Sequence, residues 1–255
     1  MRRGRNGRTR SVSSALSLFS QVLALAAGRP VFTADYYAVD GVSGKVASFI
    51  DWNDPTHTLA QASSSLQVAI PAAHADYGGK LCANFTGAEY YDSTRPTGWA
   101  FTSNGTPNTF YWAATATDTT FGYLWNTRGT QVGLGVTTLS GPDRVSVVVG
   151  NDTINTLATT AAAGVNVPIN GRFSYTENIT TPEFALKVTG QTAVTGDSAA
   201  APTATNPGVF RIGFRATASP SLPGKFRLRS LVFTPEPRVG SLVPSWIQSD
   251  TGIAP

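Results

Sequence analysis

The chain has little charge, one cysteine and few histidines. Only 13% of its 255 residues are charged, and it contains Cys82, His57 and His74 as its sole residues of those two types. A single cysteine cannot form a disulfide within the chain, and no spacing typical of zinc, haem or iron–sulfur ligands is present. No run of about twenty apolar residues occurs, so no membrane-spanning helix is predicted. The sequence therefore predicts neither a cofactor nor a metal centre.

Residue patterns typical of hydrolases are also missing. A retaining glycosidase needs two carboxyl groups about 5 Å apart. The glutamates of this chain are isolated from one another: Glu89, Glu177, Glu183 and Glu236. Neither histidine is framed by a serine–histidine–aspartate order or a nucleophile elbow. We therefore expect a protein that is not an enzyme.

Glycine, proline, serine, threonine and alanine are abundant instead, with 10% aromatic residues. This composition suits short strands joined by turns and is typical of extracellular or virion proteins. Eight β-rich runs are separated by turn residues: 108–117, 119–126, 131–139, 144–149, 171–178, 184–189, 208–216 and 225–233. No run after residue 30 has a helical period, which argues against a parallel sheet with crossover helices. The spacing predicts a two-sheet antiparallel sandwich.

The remaining segments complete this prediction. Three earlier strands are predicted: residues 31–38, 45–52 and 80–85. Three segments are predicted to be loop-like: residues 58–73, 90–107 and 191–207. Residues 235–255 contain four prolines and no strand pattern, which predicts an extended C-terminal tail. Trp246 and Ile247 are the residues expected to anchor that tail on a neighbouring molecule.

Basic charge is concentrated at the N-terminus. Five of the nineteen basic residues lie in the first ten positions: Arg2, Arg3, Arg5, Arg8 and Arg10. The rest of the chain holds fourteen basic and fifteen acidic residues, so the +4 charge of the whole chain is due to this arm. Three interpretations of the arm are open. Arginine-rich termini bind nucleic-acid phosphates, and a free flexible tail is a second interpretation. Attachment to a protein shell is the interpretation we prefer.

An amphipathic segment follows the arm at residues 11–27. Its apolar residues recur three and four positions apart: Val12, Ala15, Leu16, Phe19, Val22, Leu23 and Ala26. This period predicts a helix whose Leu16, Phe19, Val22 and Leu23 pack against neighbouring subunits. The alternative is a cleaved secretory signal, since basic residues precede an apolar run and small residues.

Two groups of polar and aromatic residues are candidate binding sites. Asp51, Asn53 and Asp54 offer oxygens that suit calcium, although side chains that cap their own turn are the preferred interpretation. Tyr90, Tyr91, Trp99 and Asn104 combine aromatic rings with an amide, as sites that hold sugar rings do. The preferred interpretation is that Trp99 and Phe101 pack the edge of the sandwich.

A further group is basic. Arg211, Arg215, Arg227 and Arg229 alternate on two neighbouring predicted strands. This alternation predicts that the four side chains point to one face of one sheet, either as a solvated face or as a basic stripe that pairs with a neighbour's acidic groups.

The order of the segments resembles the concanavalin A-like lectin/glucanase superfamily, in particular its laminin-G-like version. The first matching elements are residues 46–52 followed by Asn53 and Asp54, then Gln61, then Asn-Phe-Thr-Gly at 84–87. The later ones are residues 186–190, Phe-Arg-Ile-Gly at 210–213, and residues 224–233. The resemblance covers about residues 31–234 and implies a jelly-roll sandwich. The Glu-x-Asp-x-x-Glu strand of the glucanase members is absent.

Together these observations predict three parts: a basic arm and helix at 1–30, a sandwich at 31–234 and a tail at 235–255. The leading hypothesis is a structural protein of a bacteriophage virion, serving as head decoration, fibre or tail adhesin. We expect it to be a homo-oligomer, a trimer or higher, that binds other virion proteins and contacts host-surface glycans. The alternative is a secreted carbohydrate-binding lectin whose N-terminal signal is removed.

Overall fold

The computed structural model describes residues 17–93, 107–119, 122–128, 132–137, 145–151, 155–159, 164–176, 183–197, 209–214, 223–235 and 241–255. These residues form seventeen strands and two α-helices. The helices are α1 (Leu18–Ala26) and α2 (Leu242–Thr251). The strands, in chain order, are β1 (Val31–Thr33), β2 (Tyr37–Val39), β3 (Val46–Ile50), β4 (Thr58–Ala60), β5 (Ala72–Ala73), β6 (Leu81–Thr86), β7 (Tyr91–Ser93), β8 (Pro107–Ala116), β9 (Tyr123–Arg128), β10 (Val132–Thr137), β11 (Ser146–Asn151), β12 (Asn155–Thr159), β13 (Pro168–Thr176), β14 (Glu183–Lys187), β15 (Val194–Asp197), β16 (Val209–Ile212) and β17 (Lys225–Thr234).

The strands form two antiparallel sheets. Sheet A has the order β15-β14-β13-β8-β17-β6-β5, and β1 also pairs with β17. Sheet B has the order β12-β11-β10-β9-β16-β7-β4-β3-β2. The predicted two-sheet antiparallel sandwich with an N-terminal helix is therefore confirmed. Among the described residues, neither helix is long and apolar enough to cross a membrane.

Aromatic side chains fill the space between the sheets. Phe110 of sheet A stacks on Trp125 of sheet B, with ring centroids 4.7 Å apart. Phe233 meets Phe110 edge-on at 5.1 Å and Phe210 at 5.3 Å. Burying each large side chain contributes about 1.5–3 kcal/mol, so this cluster is a major source of the sandwich's stability.

A second core lies on the outer face of sheet A. Tyr111 and Val232 alternate with inward-facing neighbours on β8 and β17, and they pack beneath α1 and α2. Val22 of α1 and Ile247 of α2 are fully buried there. Cys82 belongs to the same cluster, which agrees with its interpretation as a small buried residue. Both helices therefore cover one face of the sandwich.

The prediction of an extended C-terminal tail is wrong for residues 242–251. They form α2, whose Val243, Trp246 and Ile247 are spaced three and four apart and are buried against sheet A. Pro244 lies in the first turn, where its missing N–H has no intrahelical acceptor to lose. Gly252 ends the helix in a left-handed conformation. Trp246 thus packs within its own chain rather than on a neighbour.

Helix α1 also packs within the chain. Ser17 caps it, with its Oγ accepting a hydrogen bond from the Ser20 N–H at 3.1 Å. Phe19 contacts the rings of Trp52 at 5.2 Å and Trp246 at 5.3 Å, and Val22 is fully buried. The expectation that Phe19, Val22 and Leu23 pack against neighbouring subunits is corrected accordingly, since all three belong to the second core. The five N-terminal arginines and Leu16 lie outside the described residues.

The predicted single stripe of arginines is also wrong. Arg211 lies on β16 of sheet B, whereas Arg227 and Arg229 lie on β17 of sheet A; Arg215 is outside the described residues. The partners of the two sheet A arginines are acidic groups of the same chain: Asp76 for Arg227, and Asp35 and Asp250 for Arg229. Strand alternation alone does not reveal that β16 and β17 belong to different sheets.

Candidate functional site

The Asp51–Asp54 turn is built from its own polar side chains. Asp51 Oδ1 accepts hydrogen bonds from the Val31 N–H at 3.0 Å and the Asn53 N–H at 2.9 Å. Asp54 Oδ1 accepts from the N–H and Oγ1 of Thr56. The preferred interpretation as a capped turn is confirmed. Within the described part of the chain, no group of three or more His, Cys, Asp or Glu side chains is arranged to hold a metal ion.

The turn also begins a buried chain of hydrogen bonds that sequence reasoning missed. His57 Nδ1 lies 3.1 Å from Asp51 Oδ2, and His57 Nε2 lies 3.0 Å from Ser93 Oγ. This is the order of groups in a nucleophilic triad. All three residues are buried, and the imidazole packs edge-on against Phe32 of the inter-sheet core. These hydrogen bonds therefore connect β7 to the Asp51–Asp54 turn and to β1, and they hold the three segments in place.

Tyr91 is not a surface residue. It is fully buried between the sheets, where its hydroxyl donates a hydrogen bond to the Val46 carbonyl at 2.7 Å and accepts one from the Val68 N–H at 2.9 Å. Burial raises the pKa of this phenol. The prediction that Tyr91 contacts a sugar is therefore corrected. Trp99 and Asn104, from the same predicted group, lie outside the described residues.

Tyr90, unlike Tyr91, lies on the outer face of sheet B beside an ion pair. Because Tyr91 points into the core, the next residue of β7, Asp92, points to the outer face of sheet B. Arg211 lies directly opposite Asp92 in the β7–β16 register. The Arg211 Nε donates to Asp92 Oδ1 at 2.5 Å, and Nη2 donates to Oδ2 at 2.7 Å. The same guanidinium lies over the Tyr90 ring, 4.4 Å from its centroid.

Contacts with Gln61, Phe214 and Gly213 hold Tyr90 beside this pair. Gln61 Nε2 donates to the Tyr90 carbonyl at 3.0 Å, and the Tyr90 and Phe214 rings lie at 67° to each other with their centroids 5.6 Å apart. Gly213, at the end of β16, has a φ of +92°, and a Cβ there would come within 2.3 Å of the Glu89 carbonyl oxygen. Only glycine therefore lets β16 approach the backbone that carries Tyr90. This gives a physical reason for the Ile-Gly pair noted in the sequence.

We refer to Tyr90, Asp92, Arg211 and Phe214 as the Tyr90 patch. It combines two half-buried aromatic rings with a charge-neutral guanidinium–carboxylate pair. Aromatic carbons pack against C–H groups, and carboxylate oxygens accept hydrogen bonds from hydroxyls. The patch therefore has the chemistry to hold a ligand with both kinds of group. Of its residues, sequence reasoning placed only Tyr90 in a binding site. Asp92 carried no local signal, because its partner is 119 residues away.

Comparison with known proteins identifies the fold. No protein-family model matches the chain, and no curated protein matches it. The binding domain of botulinum neurotoxin serotype D has a TM-score of 0.55 at 5% identity, over 91% of this chain and 53% of that one. A mutant sialidase of Trypanosoma rangeli with trans-sialidase activity has a TM-score of 0.55 at 12% identity, over 87% of this chain and 33% of that one. The T. rangeli sialidase in complex with sialic acid has a TM-score of 0.51 at 13% identity, over the same shares.

The chain thus spans about half the length of the neurotoxin fragment and a third of the sialidase. At such low identity these similarities show the fold alone. The chain is a two-sheet antiparallel β-sandwich whose fold is shared with parts of these proteins.

Proposed function

We propose that the protein is a non-enzymatic carbohydrate-binding module of a bacteriophage virion, and that its N-terminal arm attaches it to the particle. The observation that carries the proposal is the location of two features on opposite faces. The Tyr90 patch lies on the outer face of sheet B, whereas α1 packs on the outer face of sheet A. A module attached through the segment before α1 presents its binding patch away from the attachment point.

The ligand class follows from the patch and is supported by the fold. Rings at Tyr90 and Phe214 beside a carboxylate suit the C–H faces and hydroxyls of sugars. The same sandwich fold occurs in a receptor-binding domain of botulinum neurotoxin D and in a sialidase solved with sialic acid. Carbohydrate recognition is carried over from this comparison to the present chain as part of the proposal.

The packing of α1 favours a retained N-terminus over a cleaved signal. Val22 and Ala26 are fully buried in the second core, together with Tyr111 and Val232 of sheet A. Cleavage after residue 27 removes this helix and uncovers the apolar face beneath it, and exposed apolar patches of that kind are costly in a soluble protein. The five arginines and the near-neutral remainder of the chain support a role for the arm in attachment.

A glycan array followed by calorimetry tests the binding function. We expect the purified chain to bind a defined set of glycans, and Tyr90→Ala to weaken that binding about tenfold or more, because the ring supplies the apolar contact. Val42→Ala is the matched control, since Val42 is 98% exposed and outside the patch. Absence of binding to any glycan, or equal binding by Tyr90→Ala, overturns the proposal.

Deletion of residues 2–16 tests the attachment function while leaving α1 in place. The variant should keep the thermal stability of the full chain and lose incorporation into phage particles purified from its host. A second variant with serine at the five arginine positions separates charge from length. Normal incorporation of both variants contradicts the attachment role. Intact-mass measurement decides between the two interpretations of the N-terminus, because loss of residues 1–27 from the natural product is expected of a cleaved signal and contradicts a retained arm.

A further inference from the structure

We propose that the Tyr90 patch binds uncharged sugars through their hydroxyl groups and excludes sugars that carry a carboxylate, such as sialic and uronic acids. The inference rests on the proposed function and specifies its ligand class. It is drawn from the arrangement of Asp92 and Arg211, and it differs from what a sialidase-like fold suggests by itself.

Arginine recognises carboxylates through its planar fork of N–H groups, usually with two parallel hydrogen bonds. In this chain that geometry is taken by an internal partner. Nε and Nη2 of Arg211 donate to the two oxygens of Asp92, at 2.5 and 2.7 Å. The two residues are fixed opposite each other on adjacent strands, so the pair belongs to the sheet and not to a mobile loop. A ligand carboxylate must therefore compete with Asp92 for Arg211.

Exposure decides which charge a ligand meets. The Asp92 side chain is 32% exposed, whereas that of Arg211 is 9% exposed. Tyr90 covers one face of the guanidinium, with 4.4 Å between Arg211 Cζ and the ring centroid. The accessible group of the pair is thus the negative one. An approaching carboxylate is repelled by the like charge of Asp92, and this repulsion weakens its binding.

A neutral sugar has no such conflict. Asp92 oxygens that already accept from Arg211 keep lone pairs for ligand hydroxyls, because a carboxylate has about four acceptor sites. Tyr90 and Phe214 supply apolar contact beside them. The two hydrogen bonds from Arg211 also fix the orientation of Asp92, so its oxygens are preorganised as acceptors.

Calorimetry with matched sugars tests the inference: lactose against 3′-sialyllactose, and a glucose oligomer against the corresponding glucuronate oligomer. We expect the neutral member of each pair to bind about tenfold or more tightly. Asp92→Asn keeps the shape of the side chain and removes its charge, so it should reverse this preference towards the acidic sugars. Asp40→Asn is the control, since it makes the same charge change in the β2–β3 turn.

Circular dichroism and thermal melting establish that each variant is folded, and Asp92→Glu provides a second variant that keeps the charge and should keep the neutral preference. If the wild-type chain prefers the acidic sugars and Tyr90→Ala removes that binding, the inference is overturned while the proposed function stands. If Asp92→Asn leaves the preference unchanged, the inference is also overturned. If no sugar of either kind binds, both the inference and the proposed carbohydrate-binding function are overturned.

Discussion

Trp112 and Gly171 face each other across the β8–β13 pair, and the indole of Trp112 occupies the space that a side chain at 171 needs. A Cβ at residue 171 would lie 2.1 Å from Trp112 Cε2. Trp112 is buried in the inter-sheet core. The large Trp112 side chain therefore fits only because residue 171, its partner on the next strand, has no side chain.

Gly171→Ala should destabilise the sandwich by about 1–3 kcal/mol or more, because the indole must leave its rotamer or the strands must separate. Urea unfolding measures the change. Gly41→Ala is the matched control, since a Cβ there meets nothing within 4 Å. If the two variants are equally stable, Trp112 has room to move and the packing argument is wrong.

Gly213→Ala should reduce the free energy of glycan binding by more than it reduces the free energy of unfolding. The new Cβ pushes against the Glu89 carbonyl and the Tyr90 Cα, which lies 3.1 Å away, so the Tyr90 ring moves off Arg211. Gly44→Ala separates this effect from backbone strain, because Gly44 also has a positive φ, of +67°, but has open space around its Cβ. Calorimetry should show weakened binding for Gly213→Ala alone. Unchanged affinity indicates that Tyr90 does not depend on Gly213.

The ion pair of Arg229 with Asp250 fixes α2 to the sheet, and removing the Asp250 charge should loosen that helix. The buried guanidinium donates to Asp250 from Nε at 2.7 Å, to Asp35 from Nη2 at 2.5 Å, and to the Leu81 carbonyl from Nη1 at 3.2 Å. Burial alone lowers the pKa of Arg229, but the bonds to Asp35 and Asp250 outweigh it and raise the pKa, so the group stays charged.

Asp250→Asn should therefore cost about 1–3 kcal/mol, because it weakens two charge-assisted hydrogen bonds of the buried Arg229 while Asp35 still neutralises the guanidinium. Limited proteolysis should then cut within α2, and urea unfolding should show the loss of stability. Lys80→Met is the control: its amine is 3.8 Å from Asp250 and half exposed, and such pairs contribute about 0–1 kcal/mol. A protease-resistant Asp250→Asn variant argues that apolar contacts alone hold α2.

The sandwich itself was predictable because long strands carry their own signals. The alternation of β8 and β17 and the turn residues between strands are local properties of the sequence. Short strands carry little signal: β4, β5, β7 and β15 lie inside segments predicted as loops, because two to four residues form a strand only when a neighbour pairs with them. Helix α2 was missed because Pro244 reads as a helix breaker until its place in the first turn is known.

The candidate site was predictable only in part. Tyr90 stood out as an aromatic residue among polar neighbours, but Tyr91 beside it had the same signal and is buried. One residue of strand register separates the two environments. Asp92 and Arg211 meet through pairing of β7 with β16, and His57 meets Ser93 across 36 residues. Such partnerships depend on tertiary contacts that no local pattern contains.

Alkaline pH should destabilise the fold through two buried phenols. Burial raises the pKa of Tyr77 and of Tyr91 above their ordinary value of 10.0. The Tyr77 hydroxyl donates to the Arg227 carbonyl at 2.9 Å and that of Tyr91 donates to the Val46 carbonyl at 2.7 Å, bonds that a phenolate cannot make. In the unfolded chain both groups lose their protons at lower pH than in the folded chain.

The unfolded state therefore binds fewer protons in this range, and stability falls as pH rises. The contribution of the two groups is fully present below about pH 9 and is lost as pH rises through 10 towards the folded values, at up to about 1.4 kcal/mol per pH unit for each group. Urea unfolding between pH 8 and about 11 measures this slope.

A Tyr77→Phe, Tyr91→Phe double variant should be less stable at neutral pH, by about 1–2 kcal/mol for each lost hydrogen bond, and should show a shallower alkaline slope. An unchanged slope in the double variant shows that these phenols do not cause the alkaline loss, since phenylalanine has no proton to release.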